Sequence, residues 1–562
     1  MKAFEQWGTL SKMLKNGSFS YVDLAFAESV LKQAGNSQEH SAALLAALFA
    51  LSRQGHLALD ASEEALPFAL QCLNVEKQDP FVSLLQEGIQ AFTPSLWVCR
   101  EGNHFYLQKN WTQESQILFH LDRLCRSAPL VHNGDWAPDP RLNQRQKQAV
   151  ESGMQHALSL WTGGPGTGKT FTAASLVKAC IGATASDHKE PLRLILTAPT
   201  GKAASHLEGQ LMKEGLKVHI RSGTLHSILG MKSYFQEGDP DPLFADLIIV
   251  DECSMIDAKI FARLLASVQT GTRCVLIGDK DQLPAVEAGS IFADLLDLRV
   301  YPTTELTQCL RSESAEILSL AQSIKEGNAN QVLASLRMQE EVKWIDLEEE
   351  KKSPSQFYTL FWERYQHKFT SSFAQRPTPN QILKHLGEFS ILSCVRGGPL
   401  GVDALNSYFL NQSLKSVKQD AWWVAPIMVT RNDYDLQLFN GDLGCIVRRF
   451  SEDFSMRQFS IDDCALFLDR KEGFKQIPAL ALNAFEYSFC QSIHKSQGSE
   501  YDEVLILIPK GSEVFGREVL YTAVTRAKKK VALAGSQEVL LQATLRSSRK
   551  TSGLKSRLQR SV

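Results

Sequence analysis

A glycine-rich turn near residue 163 has the residue types and spacing that hold phosphate groups. It follows the apolar run "LSLWT" and precedes the helical pattern "FTAASLVKAC", so backbone N–H groups at a helix N-terminus would face the ligand. In such a loop the lysine reaches the β and γ phosphates, and the hydroxyl that follows it is a ligand for Mg²⁺. The predicted nucleoside triphosphate site consists of Gly163, Gly164, Pro165, Gly166, Thr167, Gly168, Lys169 and Thr170.

A pair of acidic residues follows a second buried strand, "LIIV", and is the next candidate for chemistry. Asp251 has the position of a residue that holds Mg²⁺ together with Thr170, and Glu252 that of the base which activates an attacking water. An acidic pair in a loop is common by itself. Together with the phosphate loop it favours ATP hydrolysis over phosphoryl transfer to a bound acceptor.

Five further polar residues are candidates for the same site. Asp279 and Gln282 lie in "GDKDQLP" after another strand, where the glutamine would sense the γ-phosphate. Arg311 and Arg526 are candidates for neutralising charge in the transition state, although a lone arginine is more often a surface residue. Gln146 precedes the first strand and is predicted to hydrogen-bond adenine; its alternative is an exposed helical position.

The hydrophobic pattern divides the chain into segments that must position these residues. Residues 1–110 have the three- and four-residue steps of helices, whereas short apolar runs ending in Gly, Thr or Asp begin near residue 140. Two sets of such runs predict two doubly wound α/β units with buried parallel strands. The charged stretch 339–352 is interpreted as a solvated connection, and 444–485 as a small β insertion in the second unit.

Composition sets limits on the class of protein. The 562 residues suggest three or four domains, and a net charge of −2 means that any nucleic-acid contact must come from local basic surface. The eleven cysteines show no zinc spacing and favour reduced thiols. Because the longest apolar run is too short to span a bilayer and no secretory signal is present, we expect a cytoplasmic protein without membrane association.

The order of the motifs resembles that of superfamily 1 helicases. Their residues are similar to those of the RecD family, the alpha subunits of exodeoxyribonuclease V. The resemblance runs from Leu142 to the C-terminus, and over residues 1–110 it rests on helical pattern alone. Cys253 stands where this family is expected to have alanine, and we interpret it as a packing residue. The motifs are "GGPGTGKT", "TAPTGKAA", "TLHSILG", "VDECSMID", "GDKDQLPAVEAG", "LTQCLR", "VTRNDYDLQLFNGDLG", "HKSQGSEYDEV" and "YTAVTRA".

This resemblance implies an α/β fold with two RecA-like P-loop NTPase domains that bind ATP and Mg²⁺ in the cleft between them. The first domain, with a linker and the P-loop, would cover residues 111–340 and the second 341–562, with an SH3-like insertion at about 444–485. Residues 1–110 would form a helical domain that docks a partner. The ATP-site roles of Lys169, Thr170, Asp251, Glu252, Gln282, Arg311 and Arg526 are carried over as implied by the family.

The resemblance also implies contacts to the backbone of single-stranded DNA. Hydroxyls and backbone N–H groups suit phosphate contacts that position a strand without identifying its bases. The basic runs 526–530 and 546–560 are candidates for further DNA contact or, alternatively, solvated surface. The predicted DNA-binding residues are Thr200, Thr224, His226, His494, Ser496 and Gln497.

The function that follows is an ATP-dependent single-stranded DNA translocase and helicase, with 5′-to-3′ polarity implied by the family. It would act with RecB-like and RecC-like subunits on single-stranded and duplex-end DNA, in double-strand break repair and recombination. Three alternatives stay open: a stand-alone helicase, a scaffold that binds nucleotide without hydrolysing it, and an RNA motor. No nuclease site is expected, because the one acidic pair at a strand end is committed to ATP.

Overall fold

The fold is mixed α/β and contains two parallel sheets, as predicted. The computed structural model describes residues 4, 6–129, 137–184, 191–214, 218–231, 238–309, 314–338, 340–348, 354–369, 372–433, 435–451, 458–469 and 473–561. Within these residues no helix is both long enough and apolar enough to cross a membrane.

The N-terminal part of the chain packs helices around a small antiparallel sheet. Its elements are α1 (Gly8–Lys15), α2 (Tyr21–Gln33), α3 (Glu39–Arg53), β1 (Ala58–Asp60), α4 (Leu66–Cys72), α5 (Pro80–Gln90), β2 (Val98–Glu101), β3 (His104–Leu107) and α6 (Gln108–Cys125). The central helix α3 is rich in buried alanine and leucine, and small alanine side chains let neighbouring helices approach closely. The helical periodicity did not predict the three short strands, which pair in the order β1-β3-β2.

The first motor domain is built on a six-stranded parallel sheet. Its elements are α7 (Gln144–Gln155), β4 (Leu158–Thr162), α8 (Lys169–Thr184), β5 (Arg193–Ala198), α9 (Gly201–Lys213), β6 (His219–Thr224), α10 (Leu225–Ile228), β7 (Leu247–Val250), α11 (Ala258–Ser267), β8 (Arg273–Gly278), α12 (Ile291–Leu298) and β9 (Thr303–Glu305). The strand order is β6-β5-β7-β8-β4-β9. Because all of these strands are parallel, their carboxyl ends share one edge, where ligands of open α/β sheets bind.

The second motor domain contains a five-stranded parallel sheet and an antiparallel sheet. Its elements are α13 (Ala315–Lys325), α14 (Ala329–Met338), β10 (Val342–Asp346), α15 (Pro354–Tyr365), β11 (Ser372–Phe373), α16 (Pro379–Glu388), β12 (Phe389–Ser393), α17 (Val402–Lys415), β13 (Trp422–Val429), β14 (Leu443–Arg449), β15 (Cys464–Asp469), β16 (Gly473–Pro478), β17 (Phe485–Tyr487), β18 (Cys490–Ser492), β19 (Tyr501–Ile508), α18 (Gly516–Val524), β20 (Ala527–Gly535), α19 (Gln537–Leu545) and α20 (Leu554–Ser561). The parallel order is β10-β20-β19-β12-β18.

The charged stretch 339–352 was wrongly interpreted as a simple connection, because it contains strand β10. This strand pairs with β20 at the edge of the parallel sheet, and Val342 and Ile345 turn inward while Lys343 is exposed. The high density of acidic residues concealed this pattern in the sequence.

The antiparallel sheet is wider than the β-rich interval that the sequence indicated. Its order is β11-β13-β14-β15-β16, and β17 also pairs with β13. Strands from residue 372 to residue 487 therefore contribute to it, on both sides of the predicted insertion at about 444–485. Whether this sheet is SH3-like, and where the domain boundaries lie, stay predictions.

The chain returns to its beginning through a C-terminal strap, which we define as residues 546–561. The strap leaves the second domain at α19 and places Leu554 in the core of the first domain. It hydrogen-bonds the N-terminal region, since the Leu57 N–H donates to the Thr551 carbonyl at 2.9 Å and the Thr551 N–H donates to His56 Nδ1 at 2.9 Å. The strap therefore joins all three parts of the molecule.

The basic residues of the strap contact this chain itself. Arg557 lies 3.1 Å from the Glu101 carboxylate and 3.5 Å from the buried carboxylate of Glu114, and Arg549 pairs with Asp297. The Gly553 N–H donates to Glu114 Oε1 at 2.9 Å. The sequence suggested either DNA contacts or solvated surface for this segment. In the structure, Arg549 and Arg557 instead form intramolecular ion pairs.

We predict that Gly553→Ala lowers the stability of the protein, because a Cβ there would lie 1.5 Å from the hydroxyl of buried Tyr106. Overpacking of this kind costs about 1–3 kcal/mol. Gly182→Ala is the matched control, since nothing lies within 4 Å of its Cβ position and it is exposed on α8. Thermal unfolding should show a lower midpoint for Gly553→Ala alone. Equal midpoints for both variants would contradict the tight seating of the strap.

Candidate nucleotide site

A cleft of about 1250 Å³ runs between the two motor domains at the carboxyl edge of the first sheet. The first domain contributes the phosphate loop, Asp251, Glu252, Gln282 and one face of α9. The second domain contributes Arg526 and residues from 498–501, and the antiparallel sheet adds residues around 437–443. The structure therefore brings most of the predicted ATP-site residues into one cavity.

The phosphate loop has the conformation that its glycines allow. Gly166 and Gly168 have φ of 74° and 79°, in the left-handed region that favours glycine. The Lys169 ammonium donates to the carbonyls of Gly163 and Gly164 at 2.7 and 2.9 Å. A Cβ at Gly163 would lie 2.7 Å from the Leu306 carbonyl, so the close packing of the loop also requires glycine.

The two carboxylates at the end of β7 are partly buried and line the cleft. Burial raises the pKa of Asp251, opposed by the Lys169 cation and by the Glu252 N–H, which donates to Asp251 Oδ1 at 2.8 Å. Burial and then the Asp251 charge raise the pKa of Glu252, opposed by the cations of Arg526 and Lys169. A carboxylate with a raised pKa is a better proton acceptor, as a general base requires.

Glu252 also has a strained backbone, with φ of 53° in the left-handed region. A non-glycine residue held there costs about 1–3 kcal/mol, and such residues are concentrated at functional sites. The next residue, Cys253, is fully buried in the core and its Sγ contacts the Val250 carbonyl at 3.3 Å. Cys253 is therefore a packing residue, as the sequence predicted, and burial raises the pKa of its thiol well above the usual value.

The loop after β8 is held by side chains of the second domain. Within the loop, Gln282 Nε2 donates to Asp279 Oδ2 at 3.2 Å, and burial raises the pKa of that carboxyl. From α18, the Tyr521 hydroxyl donates to the same Oδ2 at 3.1 Å, and Thr522 Oγ1 accepts from the Leu283 N–H at 2.9 Å. The position of Gln282 therefore depends on both domains.

Arg526 comes from the second domain and reaches the cleft as predicted. It is 3% exposed, and its guanidinium donates to the carbonyls of Thr522 and Ser499 at 3.0 and 3.2 Å. Ser499 also contacts the first domain, because its Oγ accepts from Lys202 Nζ at 2.5 Å. Arg526 is thus oriented by its own domain at the point where the two domains meet.

Gln146 lies under the phosphate loop and is fully buried. Its side-chain oxygen accepts from the Asn143 N–H at 3.0 Å, which caps α7, and its Nε2 donates to the Thr167 carbonyl at 3.2 Å. It is not an exposed helical residue, and in this structure its amide supports the loop. Its contact with adenine stays a prediction.

Three predicted DNA-contacting residues are associated with strand or helix ends of the first domain. Thr200 caps α9 and Thr224 caps α10, each accepting from a backbone N–H at 3.3 Å, and His226 is exposed in the first turn of α10. Next to Thr200, a Cβ at Gly201 would lie 2.6 Å from the Phe439 ring. The antiparallel sheet of the second domain therefore reaches the start of α9.

The other three predicted DNA-contacting residues lie in a short 3-10 turn that follows β18. His494 is half-buried, and burial and then the Lys550 cation lower its pKa. Ser496 and Gln497 are buried: Ser496 Oγ donates to the Ile493 carbonyl at 2.7 Å, and Gln497 Nε2 to the Leu283 carbonyl at 3.5 Å. In this structure they contact protein groups, and their contact with DNA stays a prediction.

Arg311 lies outside the described residues, so its role in neutralising charge at the ATP site stays a prediction. Tyr521 and Thr522 were not predicted as site residues, although both belong to "YTAVTRA", the motif that contains Arg526. Both residues lie about one helical turn before Arg526, and this spacing could have predicted that they face the same site. Lys202 and Ser499 were also missed, since their contact joins segments 297 residues apart.

A phosphate loop and an acidic strand end in one parallel-sheet domain, facing an arginine of a second such domain, define a two-domain P-loop NTPase. Residues 141–347 match the AAA domain family, and residues 487–534 match the UvrD-like helicase C-terminal domain.

Curated relatives extend this match over the whole chain. The RecBCD enzyme subunit RecD of Mycobacterium tuberculosis is 31% identical over 99% of this chain and 98% of its own length. The RecBCD enzyme subunit RecD of Mycolicibacterium smegmatis is 33% identical over 82% and 83%. The ATP-dependent RecD2 DNA helicase of Deinococcus radiodurans is 28% identical over 83% of this chain and 59% of its own. The chain belongs to the RecD family and is an ATP-dependent helicase.

We predict that Lys169→Ala and Glu252→Gln both stop ATP hydrolysis by different routes. Losing the Lys169 ammonium removes a phosphate contact and should weaken ATP binding. Glu252→Gln keeps the shape of the side chain and removes the base, so ATP should bind and stay uncleaved. Nucleotide affinity and single-turnover hydrolysis separate the two. Parental hydrolysis by Glu252→Gln would show that another group is the base.

Proposed function

We propose that this chain is an ATP-driven motor that moves along single-stranded DNA and separates duplex DNA in the 5′-to-3′ direction. The observation that carries the proposal is the meeting of Glu252 and Arg526 in one cleft, each supplied by a different domain. A site completed by two domains changes when they move relative to each other. ATP binding and hydrolysis can then drive a mechanical cycle.

The donor set at the phosphate loop fits Mg²⁺. Thr170 offers a hydroxyl at the start of α8, and Asp251 offers a carboxylate at the end of β7, and both line the cleft. Hard oxygen donors of this kind, in small number and beside phosphates, are typical for Mg²⁺. When bound, the ion would neutralise charge on the β and γ phosphates of ATP.

The protein groups divide the remaining work of hydrolysis. Lys169 holds the β and γ phosphates, Glu252 accepts the proton of the attacking water, and Gln282 orients groups at the γ-phosphate. Arg526 offsets the negative charge of the transition state, a role worth about 10³ to 10⁵ in rate where such arginines have been tested. Arg311 is proposed for the same role from the family motif.

Single-stranded DNA would bind near the carboxyl edge of the first sheet, close to the N-terminus of α9. The Thr200 hydroxyl and the first N–H groups of this 13-residue helix suit a backbone phosphate. Thr224, His226 and His494 are proposed to contribute further contacts. Buried Ser496 and Gln497 are better placed to hold their turn against Leu283, and so to report strand occupancy to the nucleotide site.

We further propose that the chain works in the cytoplasm as one subunit of a complex with RecB-like and RecC-like partners, in double-strand break repair and recombination. The proposal rests on relatives named RecBCD enzyme subunit RecD that match nearly the whole chain. The relative named ATP-dependent RecD2 DNA helicase supports a stand-alone helicase as the second candidate. Residues 1–110 are the proposed docking region, and copurification with candidate partners distinguishes the two cases.

We predict ATP-dependent unwinding of a duplex with a 5′ single-stranded tail and not of one with a 3′ tail. Single-stranded DNA should stimulate ATP hydrolysis, and the affinity for it should fall with salt at a logarithmic slope of about −0.7 per phosphate neutralised. Lys169→Ala is the inactive control. Unwinding from 3′ tails would contradict the polarity, whereas stimulation by RNA alone would identify an RNA motor.

A second prediction is that the purified chain does not cut DNA. A metal-dependent nuclease needs two or more carboxylates around its ions, and Asp251 and Glu252 already belong to the nucleotide site. Glu348, the described residue of the acidic run 348–350, pairs with Lys510 at 3.1 Å on the surface. Labelled single- and double-stranded DNA should stay intact with Mg²⁺ and ATP. Cleavage that persists in Lys169→Ala would reveal an independent site.

A further inference from the structure

Tyr521 extends from the second motor domain into the nucleotide site of the first. It lies on α18, is 6% exposed, and its hydroxyl donates to Asp279 Oδ2 at 3.1 Å. Burial and then the nearby Asp279 charge raise the pKa of this hydroxyl well above its usual value, so it stays a proton donor. The Tyr521 hydroxyl is therefore a fixed hydrogen-bond donor that depends on the approach of the two domains.

The acceptor of this hydrogen bond organises the loop that carries Gln282. Asp279 Oδ1 accepts from the Asp281 N–H at 3.1 Å, and Oδ2 accepts from Gln282 Nε2 at 3.2 Å. Because its amide nitrogen is held by Asp279, the orientation of the Gln282 side chain follows that carboxylate. Among the described residues, buried Gln282 Oε1 has no hydrogen-bond partner, and Gln282 lines the cleft. That oxygen is available to a group bound there.

Tyr521 also adjoins the phosphate loop. A Cβ at Gly164 would lie 3.2 Å from the tyrosine hydroxyl, and the Gly164 carbonyl accepts from Lys169 at 2.9 Å. The hydroxyl thus sits between the loop that binds phosphate and the loop that carries Gln282. Thr522, next along α18, holds the Leu283 N–H independently, so the backbone of the loop keeps one interdomain contact without Tyr521.

We propose that Tyr521 is a positioning residue for ATP hydrolysis: when the cleft is closed, its hydroxyl fixes the Asp279 carboxylate and thereby holds Gln282 at the γ-phosphate. The role rests on the proposed function, because it requires that Gln282 acts on ATP. It adds a contribution of the second domain that is separate from Arg526, since Tyr521 acts through a side chain of the first domain and carries no charge.

The test compares Tyr521→Phe with the parent chain in ATP affinity, steady-state hydrolysis with and without single-stranded DNA, and thermal unfolding. Removing the hydroxyl should leave the affinity for ATP and the unfolding midpoint nearly unchanged. The kcat of DNA-stimulated hydrolysis should fall about ten- to hundredfold, as expected for the loss of a hydrogen bond to a carboxylate that is needed in the transition state.

Tyr408→Phe is the matched control. It removes another tyrosine hydroxyl of the second domain, one that lies 2.9 Å from Thr359 Oγ1 on an exposed surface. Its hydrolysis should equal that of the parent chain. A fall in both variants would show a general effect on the second domain and would overturn the proposal.

A double-mutant cycle with Asp279→Ala tests the route of the effect. If Tyr521 acts through Asp279, adding Tyr521→Phe to Asp279→Ala should lower kcat no further, whereas multiplied losses would overturn the proposal. Parental kcat in Tyr521→Phe would overturn it as well, even if Asp279→Ala failed to fold. A parent chain that hydrolyses no ATP with DNA present would instead contradict the proposed function, so the two failures are distinguishable.

Discussion

The structure depends on the balance of charge around two partly buried carboxylates that line the cleft between the domains. Asp251 and Glu252 are adjacent in sequence, and their burial is unfavourable unless cations lie near them. Lys169 supplies one cation from the same domain, and Arg526 supplies the other from the second domain. The charge balance around Glu252 therefore depends on how close the second domain brings Arg526.

Packing fixes the positions of these charges. Strand β7 lies between β5 and β8, so its register places Asp251 beside the strand ends that carry Thr197 and Gly278. Buried Cys253 then anchors the strained backbone at Glu252. In the phosphate loop, Gln146 donates a hydrogen bond to the Thr167 carbonyl, and Gly163 packs closely against the Leu306 carbonyl. On the first-domain side the site is thus positioned by contacts within that domain, and the second domain adds Arg526 to it.

The sequence predicted the residues of this site well where the chemistry is local. Gly163 to Thr170 and Asp251-Glu252 are short runs whose spacing and flanking strands define their role, and the two parallel sheets followed from the same apolar runs. Contacts between distant segments were not predictable in this way. The burial of Gln146, the contact of Gln497 with Leu283 and the hydroxyl of Tyr521 all depend on packing across elements. Strand β10 was missed because acidic neighbours concealed its two inward residues.

The C-terminal strap has a consequence for how the second domain can move. That domain leaves the first after β9 and is joined back to it, and to the N-terminal region, by residues 546–561. Once the direct contacts across the cleft are released, a body attached at two points rotates most easily about the line that joins them. The path of the chain thus favours a hinge-like opening of the cleft, in which one attachment is the covalent link after β9 and the other is the non-covalent seating of the strap.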